Sequence, residues 1–464
     1  MQQALTSAIA ANRFGLGARP GELASIGGDA RDWLLAQLKG GPPALADTSL
    51  RSSQQILASA LDLRREIQAA KKAADEGAQN GVLQKIPQLL KPIYVSEVTA
   101  RLSAAVASER PFVERLTQFW ANHFAVSIDK QFLAGLAGSF EREAIRPHVL
   151  GNFTDLLLAV ESHPAMLLYL DNHLSVGPHS QLAERVERFQ TERKIGINEN
   201  LAREILELHT LGVGGGYTQT DVTTFAEVIT GWSIGGEGGR FASGEPGSFV
   251  FRPELHEPGT KVVLGRSYAD EGFGQGVAVL RDLARQRSTA HFIATKLARH
   301  FIADEPPPAL VEHVADVFAH SGGDLPRVYR ALIESREAWA QPLAKYKTPS
   351  DYIISSFRGL AVEPEGHAPL LPFELLGQRT WQPGSPAGWP DRSADWDGAS
   401  ALIKRIQWAD AVGERLGSQR DAAELAPQLL GANLSDATRT AVSRAASAAQ
   451  ALTLLLAAPE FMRR

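Results

Sequence analysis

With 464 residues, 44% of them hydrophobic and 21% charged, the chain is long enough to bury a sizeable core and has the make-up of a folded globular protein. Its 47 Lys and Arg against 52 Asp and Glu leave a net charge of -5, so nothing calls for nucleic acid or an anionic membrane surface as a partner. The absence of Cys excludes disulfides, thiolate nucleophiles and Cys-ligated zinc or iron–sulfur centres, and fixes no redox compartment.

The start, MQQALTSAIAANRFGLGARP, has no cationic stretch ahead of an apolar one. No leader is visible, and the chain reads as cytoplasmic, a periplasmic or secreted location staying open if a leader was trimmed. A helix is predicted over residues 30–39, closed by Gly40-Gly41-Pro42-Pro43. Helices follow at 54–77 and 92–107, with a polar, mobile stretch starting at EGAQNG between them. Over 111–127, Phe112, Leu116, Phe119, Trp120 and His123 recur at three- and four-residue intervals on one face. Helices continue at 140–149, 153–162 and 165–170.

Residues 235–268 break the pattern. They are rich in Gly and Pro, and SFVFRP and TKVVLG read as two short strands around a loop with His256, Pro258 and Gly259, a small β-hairpin insertion. Helical spacing resumes at 275–286, 288–302, 308–321, 324–334 and 349–360. The Pro- and Trp-rich stretch WQPGSPAGWPDRSADWDG then leads to helices near 399–415 and 436–457. The expected fold is mainly α: one large helical domain with a β-hairpin insertion around 235–268 and an irregular segment near 380–398. Residues 1–340 form the main body, and 341–464 a C-terminal helical part packed on it. No repeat of fixed period is seen, and no run approaches the roughly 18 apolar residues of a membrane span.

The stretch NENLAREILELHTLGVGGGYTQTD, 198–221, concentrates chemistry. At about 100° per residue, Leu201, Ile205 and Leu208 fall on one side, and Asn200, Arg203, Glu204 and Glu207 on the other. Glu204 and Glu207 could bind a metal or share acid and base roles, with Arg203 orienting an anionic group. The plain alternative is a wet face with an Arg203–Glu207 ion pair. His209 falls on the apolar side, as His123 does on its own helix. Such histidines are commonly hydrogen-bonded core groups; if the two meet, they could hold a divalent metal with a carboxylate such as Asp171, or form an acid–base pair. Gly214 to Gly216 read as a corner between helices, with Thr218 capping the next helix and Asp221 three residues on. Trp381, Trp389, Trp396 and Trp408 either line a cleft or pin the irregular segment to the body. Lys345-Tyr346-Lys347 and Arg299-His300 read as solvated basic ends.

Taken together, ANRFGLGARP, FWANHF, HPAMLLYLDN, NENLAREILELHTLG with GYTQTDV, ITGW, HEPGTKVVLG, TAHFIATKLARHF and GWP resemble, in order and over nearly the whole chain, the family called domain of unknown function 1800. The resemblance implies one large unit and brings no settled activity. Relatives are often exported and encoded beside a second uncharacterised family, domain of unknown function 1501, which implies a protein of that kind as a partner. Positions matching the family's polar motifs are Asn122, His123, Asp171, Asn172, Asn200, Arg203, Glu204, Glu207, His209, Tyr217 and Trp232.

The expectation is therefore an enzyme performing acid–base or metal-assisted hydrolysis or elimination on a polar, potentially carbohydrate, small molecule. Glu204, Glu207, His209, His123 and Asp171 carry the chemistry. Arg203, Asn200, Asn172, Tyr217, Trp232 and Trp389 contact substrate, and His123 and His209 are the metal ligands if a metal is used. A scaffold with a hydrogen-bonded polar core, or a helical metal-binding redox protein, are the alternatives.

Overall fold

The computed structural model describes residues 2–73, 76–130, 132–188, 195–236, 244–340, 343–365 and 370–464. It is 63% helical, and its 4% of strand lies in two small antiparallel hairpins, so the mainly α expectation holds. Among the described residues no helix is long and apolar enough to cross a membrane.

The helix Pro111–His123 runs through the centre. Pro111 at its first turn costs no hydrogen bond there, because the first amides of a helix lack partners anyway. Phe112, Val113, Leu116 and Trp120 are fully buried, each large side chain contributing about 1.5–3 kcal/mol of transfer free energy. The Trp120 indole donates to the Tyr329 hydroxyl at 2.7 Å, and that hydroxyl donates to the Val149 carbonyl at 2.9 Å. Two polar groups are thus carried into the core without an unmet hydrogen bond. This first core gathers residues from Ile9 to Ala338 together with Trp381. A second draws on Tyr346 to Met462, with Leu16, Leu102, Ala105 and Val106 joining it from the N-terminal half.

Two local expectations are corrected. EGAQNG opens no mobile linker but the helix Glu76–Ala107, which absorbs Pro87 and Pro92. The two strand-like runs do not pair with each other. Phe249–Phe251 pairs with Trp232–Ile234, and Lys261–Val263 with Arg266–Tyr268, giving two separate hairpins. The partners WSI and RSY are too short to show alternation, which is why the sequence pattern joined the wrong runs.

The glycine stretch after residue 210 is the expected corner. Gly214 and Gly216 have φ of 75° and 93°, and Thr218 with Asp221 forms a reciprocal capping box on the helix Gln219–Val228. Trp381 ties the irregular region to the body, Trp396 braces it internally, and Trp408 packs from the helix Ala399–Leu416 that follows. Trp381 lies under the Arg101 guanidinium at 5.6 Å, the Trp396 indole donates to the Pro390 carbonyl at 2.9 Å, and Trp408 packs edge-on against Tyr352 at 5.4 Å.

Candidate functional site

The helix Arg287–Phe301 carries Phe292, Lys296, Arg299 and His300 at positions i, i+4, i+7 and i+8, a single helical stripe. That stripe faces the end of Pro111–His123, which presents Gln118, Asn122 and His123. The irregular segment closes over both, and a cavity of about 330 Å³ is left between them. Asn122 holds this lid in place. Its amide donates to the Trp389 carbonyl at 2.9 Å, and its carbonyl oxygen accepts from the Trp389 amide at 2.8 Å. Gly388, with φ of 82°, lies so close to the Asn122 backbone oxygen that a β-carbon would collide with it.

The cavity floor is a buried ionic network. Thr348 caps the helix Pro349–Gly359 by accepting from the Asp351 amide, which points the Asp351 carboxylate at Arg115 and Arg464, each at 2.9 Å. Asp391 lies 3.0 Å from His300 Nδ1, 3.8 Å from Lys345 and 3.7 Å from Arg464. Burial alone would raise both carboxyls. The surrounding groups reverse this and hold both well below the usual carboxylate range: Arg115 and Arg464 for Asp351, and, for Asp391, the His300 imidazole beside it, followed by Lys345 and Arg464. Lys345 and Lys347, expected as solvated basic ends, are each 1% exposed. The Lys345 ammonium donates to the Arg299 and Asp391 carbonyls at 2.7 and 2.6 Å, and Lys347 donates to Ser355 at 3.0 Å. A Lys-Tyr-Lys run shows no burial signal by itself, because the partners that solvate it come from distant segments.

Behind the cavity, His209 Nδ1 and the Glu161 carboxylate meet at 2.8 Å, both groups fully buried. The His123 Nε2–H donates to the His209 carbonyl at 3.2 Å. A carbonyl can only accept, so this contact fixes the tautomer of His123 and leaves its Nδ1 as a bare lone pair. That Nδ1 is buried without a hydrogen-bond partner, on a residue that lines the cavity. Burial, followed by the nearby charges of Lys296 and His209, holds the imidazole well below its ordinary value, so it is neutral at physiological pH. His300 repeats the arrangement: its Nδ1 is engaged by Asp391, its Nε2 is unpartnered, and burial lowers its proton affinity too. Gln118 Nε2 and Trp389 Nε1 are two further unpartnered buried atoms of cavity-lining residues.

FWANHF, TAHFIATKLARHF and GWP supply three of the cavity walls. The family model described as "Protein of unknown function (DUF1800)" matches residues 9–463. The chain belongs to the DUF1800 family. Neither the curated proteins nor the solved structures yielded a match.

Of the residues expected in the site, the DUF1800 cavity brings together His123 and Trp389, with His209 directly behind. The others lie elsewhere. Arg203 pairs with Glu199 at 3.0 Å and Gln219 at 2.9 Å, not with Glu207. Glu207 accepts from the Tyr217 hydroxyl at 3.2 Å, and Asn200 is exposed. Asp171 has φ of 59° and forms an ion pair with Lys130 at 2.6 Å. Asn172 is a buried strut, its amide donating to the Ile229 and Trp232 carbonyls at 3.1 Å each. Trp232 is fully buried against Phe249, Phe273 and Gly276, out of reach of a substrate.

One expectation about this helix fails for a definite reason. The wheel sets Glu204 opposite His209, but residues Ile205–Thr210 are π-helical, with Leu211 N–H donating to the Leu206 carbonyl at 3.0 Å. Each i→i+5 turn holds more residues and rotates the later ones back toward the earlier face. Burial raises the Glu204 carboxyl, and the charge of His209 is close enough to counter that effect.

His123 and His209 do meet, with ring centroids 6.3 Å apart. Each has one nitrogen committed, to a carbonyl and to Glu161. Among the described residues no group of three or more His, Asp or Glu side chains is arranged to hold a metal ion.

Proposed function

We propose that the cavity is the active site of an acid–base enzyme that hydrolyses, or eliminates across a bond of, a small polar molecule, with His123 Nδ1 as the proton acceptor. The observation that carries this reading is a buried, unpartnered Nδ1 lone pair on a residue that lines the cavity. An orphaned acceptor costs about 1–3 kcal/mol to bury, a cost that a bound substrate donor removes. A volume of about 330 Å³ suits a small molecule. The His209 backbone carbonyl holds the ring in one tautomer, and the neutral state is the one a base needs. Two bare imidazole nitrogens, on His123 and His300, suit a ligand with hydroxyl or amine donors. Glu204, Glu207 and Tyr217 belong to a separate polar face in this reading. The buried Glu161–His209 pair and Asn172 fit the scaffold alternative, because their side chains bind the protein itself.

The test is a panel of esters, phosphate esters, glycosides and β-hydroxy acids, assayed with the parent and with His123→Gln. The expected outcome is turnover of one class, reduced about 10²–10⁴-fold in the variant. A folded His123→Gln protein that turns over the same substrate at the parental rate refutes the assignment.

A further inference from the structure

We infer that the cavity recognises an oxyanion, a carboxylate or phosphate group of its ligand, through Lys296 and Arg299. This rests on the reading that the cavity holds the substrate, and it names the substrate's class.

Sorting the charged side chains of the wall by partner gives the argument. Asp351 and Asp391 are neutralised within the network described above. Arg101 pairs with Glu141 at 2.7 Å, Arg392 with Glu305 at 2.9 Å, and Arg379 with Glu374. Three remain: the exposed carboxylate of Asp395, and the two cations Lys296 and Arg299. The two cations stand one turn apart on the same helix, both half-buried, and neither has a carboxylate partner among the described residues. The Arg299 Nε donates to the Asp304 carbonyl at 3.2 Å, leaving the rest of the guanidinium without an anion. The Lys296 ammonium lies over the Phe292 ring at 5.5 Å.

Half-burying two neighbouring cations without a counter-ion is unfavourable, and burial and Arg299 together push the Lys296 ammonium down to about 8, against the opposing pull of Asp391. An oxyanion in the cavity removes that cost. Two neighbouring donors complete its shell: Trp389 Nε1, which can only donate, and Gln118 Nε2, both unpartnered and buried. The bare nitrogens of His123 and His300 are acceptors and repel an oxyanion. They therefore face the rest of the molecule, and the ligand has an anionic end and a hydrogen-bond-donating end.

The experiment is calorimetric titration of the full chain at pH 7.0 with inorganic phosphate and, separately, with malonate. Saturable binding of one or both is expected, and the tighter probe identifies the oxyanion. Lys296→Gln should weaken it at least tenfold, Arg299→Gln several-fold, and Lys296→Arg should restore it. Arg327→Gln, on an exposed helix face, should bind as the parent does. Probe binding by the parent without turnover of any substrate in the panel marks a failed catalytic assignment, and turnover without probe binding marks a failed anion site. No saturable binding of either probe overturns the inference. So does parental affinity in both Lys296→Gln and Arg299→Gln, or an equal loss in Arg327→Gln, which marks a diffuse counter-ion effect.

Discussion

Asp351→Asn tests the network that joins the two cores. In the parent, one carboxylate 5% exposed faces two guanidiniums at 2.9 Å, Arg115 from the central helix and Arg464 from the chain's last residue, themselves 2% and 1% exposed. The amide keeps the shape and removes the charge, so Arg115 loses its carboxylate beside the buried Lys347, and Arg464 keeps only the longer contact to Asp391 at 3.7 Å. Breaking a buried pair in this way costs about 3–5 kcal/mol, against about 0–1 for an exposed pair. The m-value of urea unfolding is about 3 kcal/mol/M at the upper end for small proteins and grows with size. The midpoint should therefore fall by roughly 1 M in urea followed by tryptophan fluorescence. Asp316→Asn, which breaks the exposed Arg287 pair, is the control and should leave it in place. The pH dependence gives a second check. Asp351 is held below its ordinary value in the folded state, so its contribution is complete above the unfolded value of 3.8 and is lost as pH falls through the folded one. The gap between parent and Asp351→Asn should be constant above about pH 5 and narrow in stronger acid. A midpoint shift no larger than that of Asp316→Asn, or a gap that persists unchanged at acid pH, would refute the reasoning.

Three further outcomes follow from the same geometry. Lys347 is pushed down to about 7, by burial first, while its unfolded value is 10.5, so the folded state binds fewer protons between those values and stability should rise with pH there. Lys347→Met should flatten that rise in urea titrations at pH 7 and 9; an unchanged slope would show that Lys347 is protonated in the fold. Burial holds His123 and His300 below their ordinary value, so stability should decline as pH falls below 6.5, by up to about 1.4 kcal/mol per pH unit for each. His123→Gln should remove one share of it, measured by thermal melts between pH 4.5 and 7, and a melt profile identical to the parent's would contradict the assignment. Asn122→Ala removes both hydrogen bonds to Trp389, about 1–3 kcal/mol together, and should speed limited proteolysis within 380–398 while leaving far-ultraviolet circular dichroism intact. Equal cleavage rates would mean that the segment is held by its Trp residues alone.

The helical architecture was legible because period 3.6 survives wherever a helix buries one face, as Phe112, Leu116 and Trp120 do. The site was half legible. His123 announced itself as an imidazole on an apolar stripe, and it does line the cavity. Glu204 and Glu207 drew attention by number and spacing, but their helix changes to π geometry at Ile205, and no propensity marks that change. The residues missed were Lys296 and the buried lysines. Lys296 had a visible signal: with Phe292, Arg299 and His300 it makes a polar stripe on a helix whose other side, Ile293, Ala294, Leu297 and Phe301, is wholly buried. Such a helix has no solvent to give its polar side once another layer covers it. What the sequence could not supply was that layer, because it is the irregular 380–395 segment, which carries no periodicity and is held by contacts with distant segments, such as Asn122 gripping the backbone of Trp389 and Lys345 donating to the Asp391 carbonyl. The cavity is therefore built by hydrogen bonds to backbone atoms between segments some 270 residues apart. Side-chain patterning along one chain does not report contacts of that kind, and for this reason the two helices of the site were readable while the site itself was not.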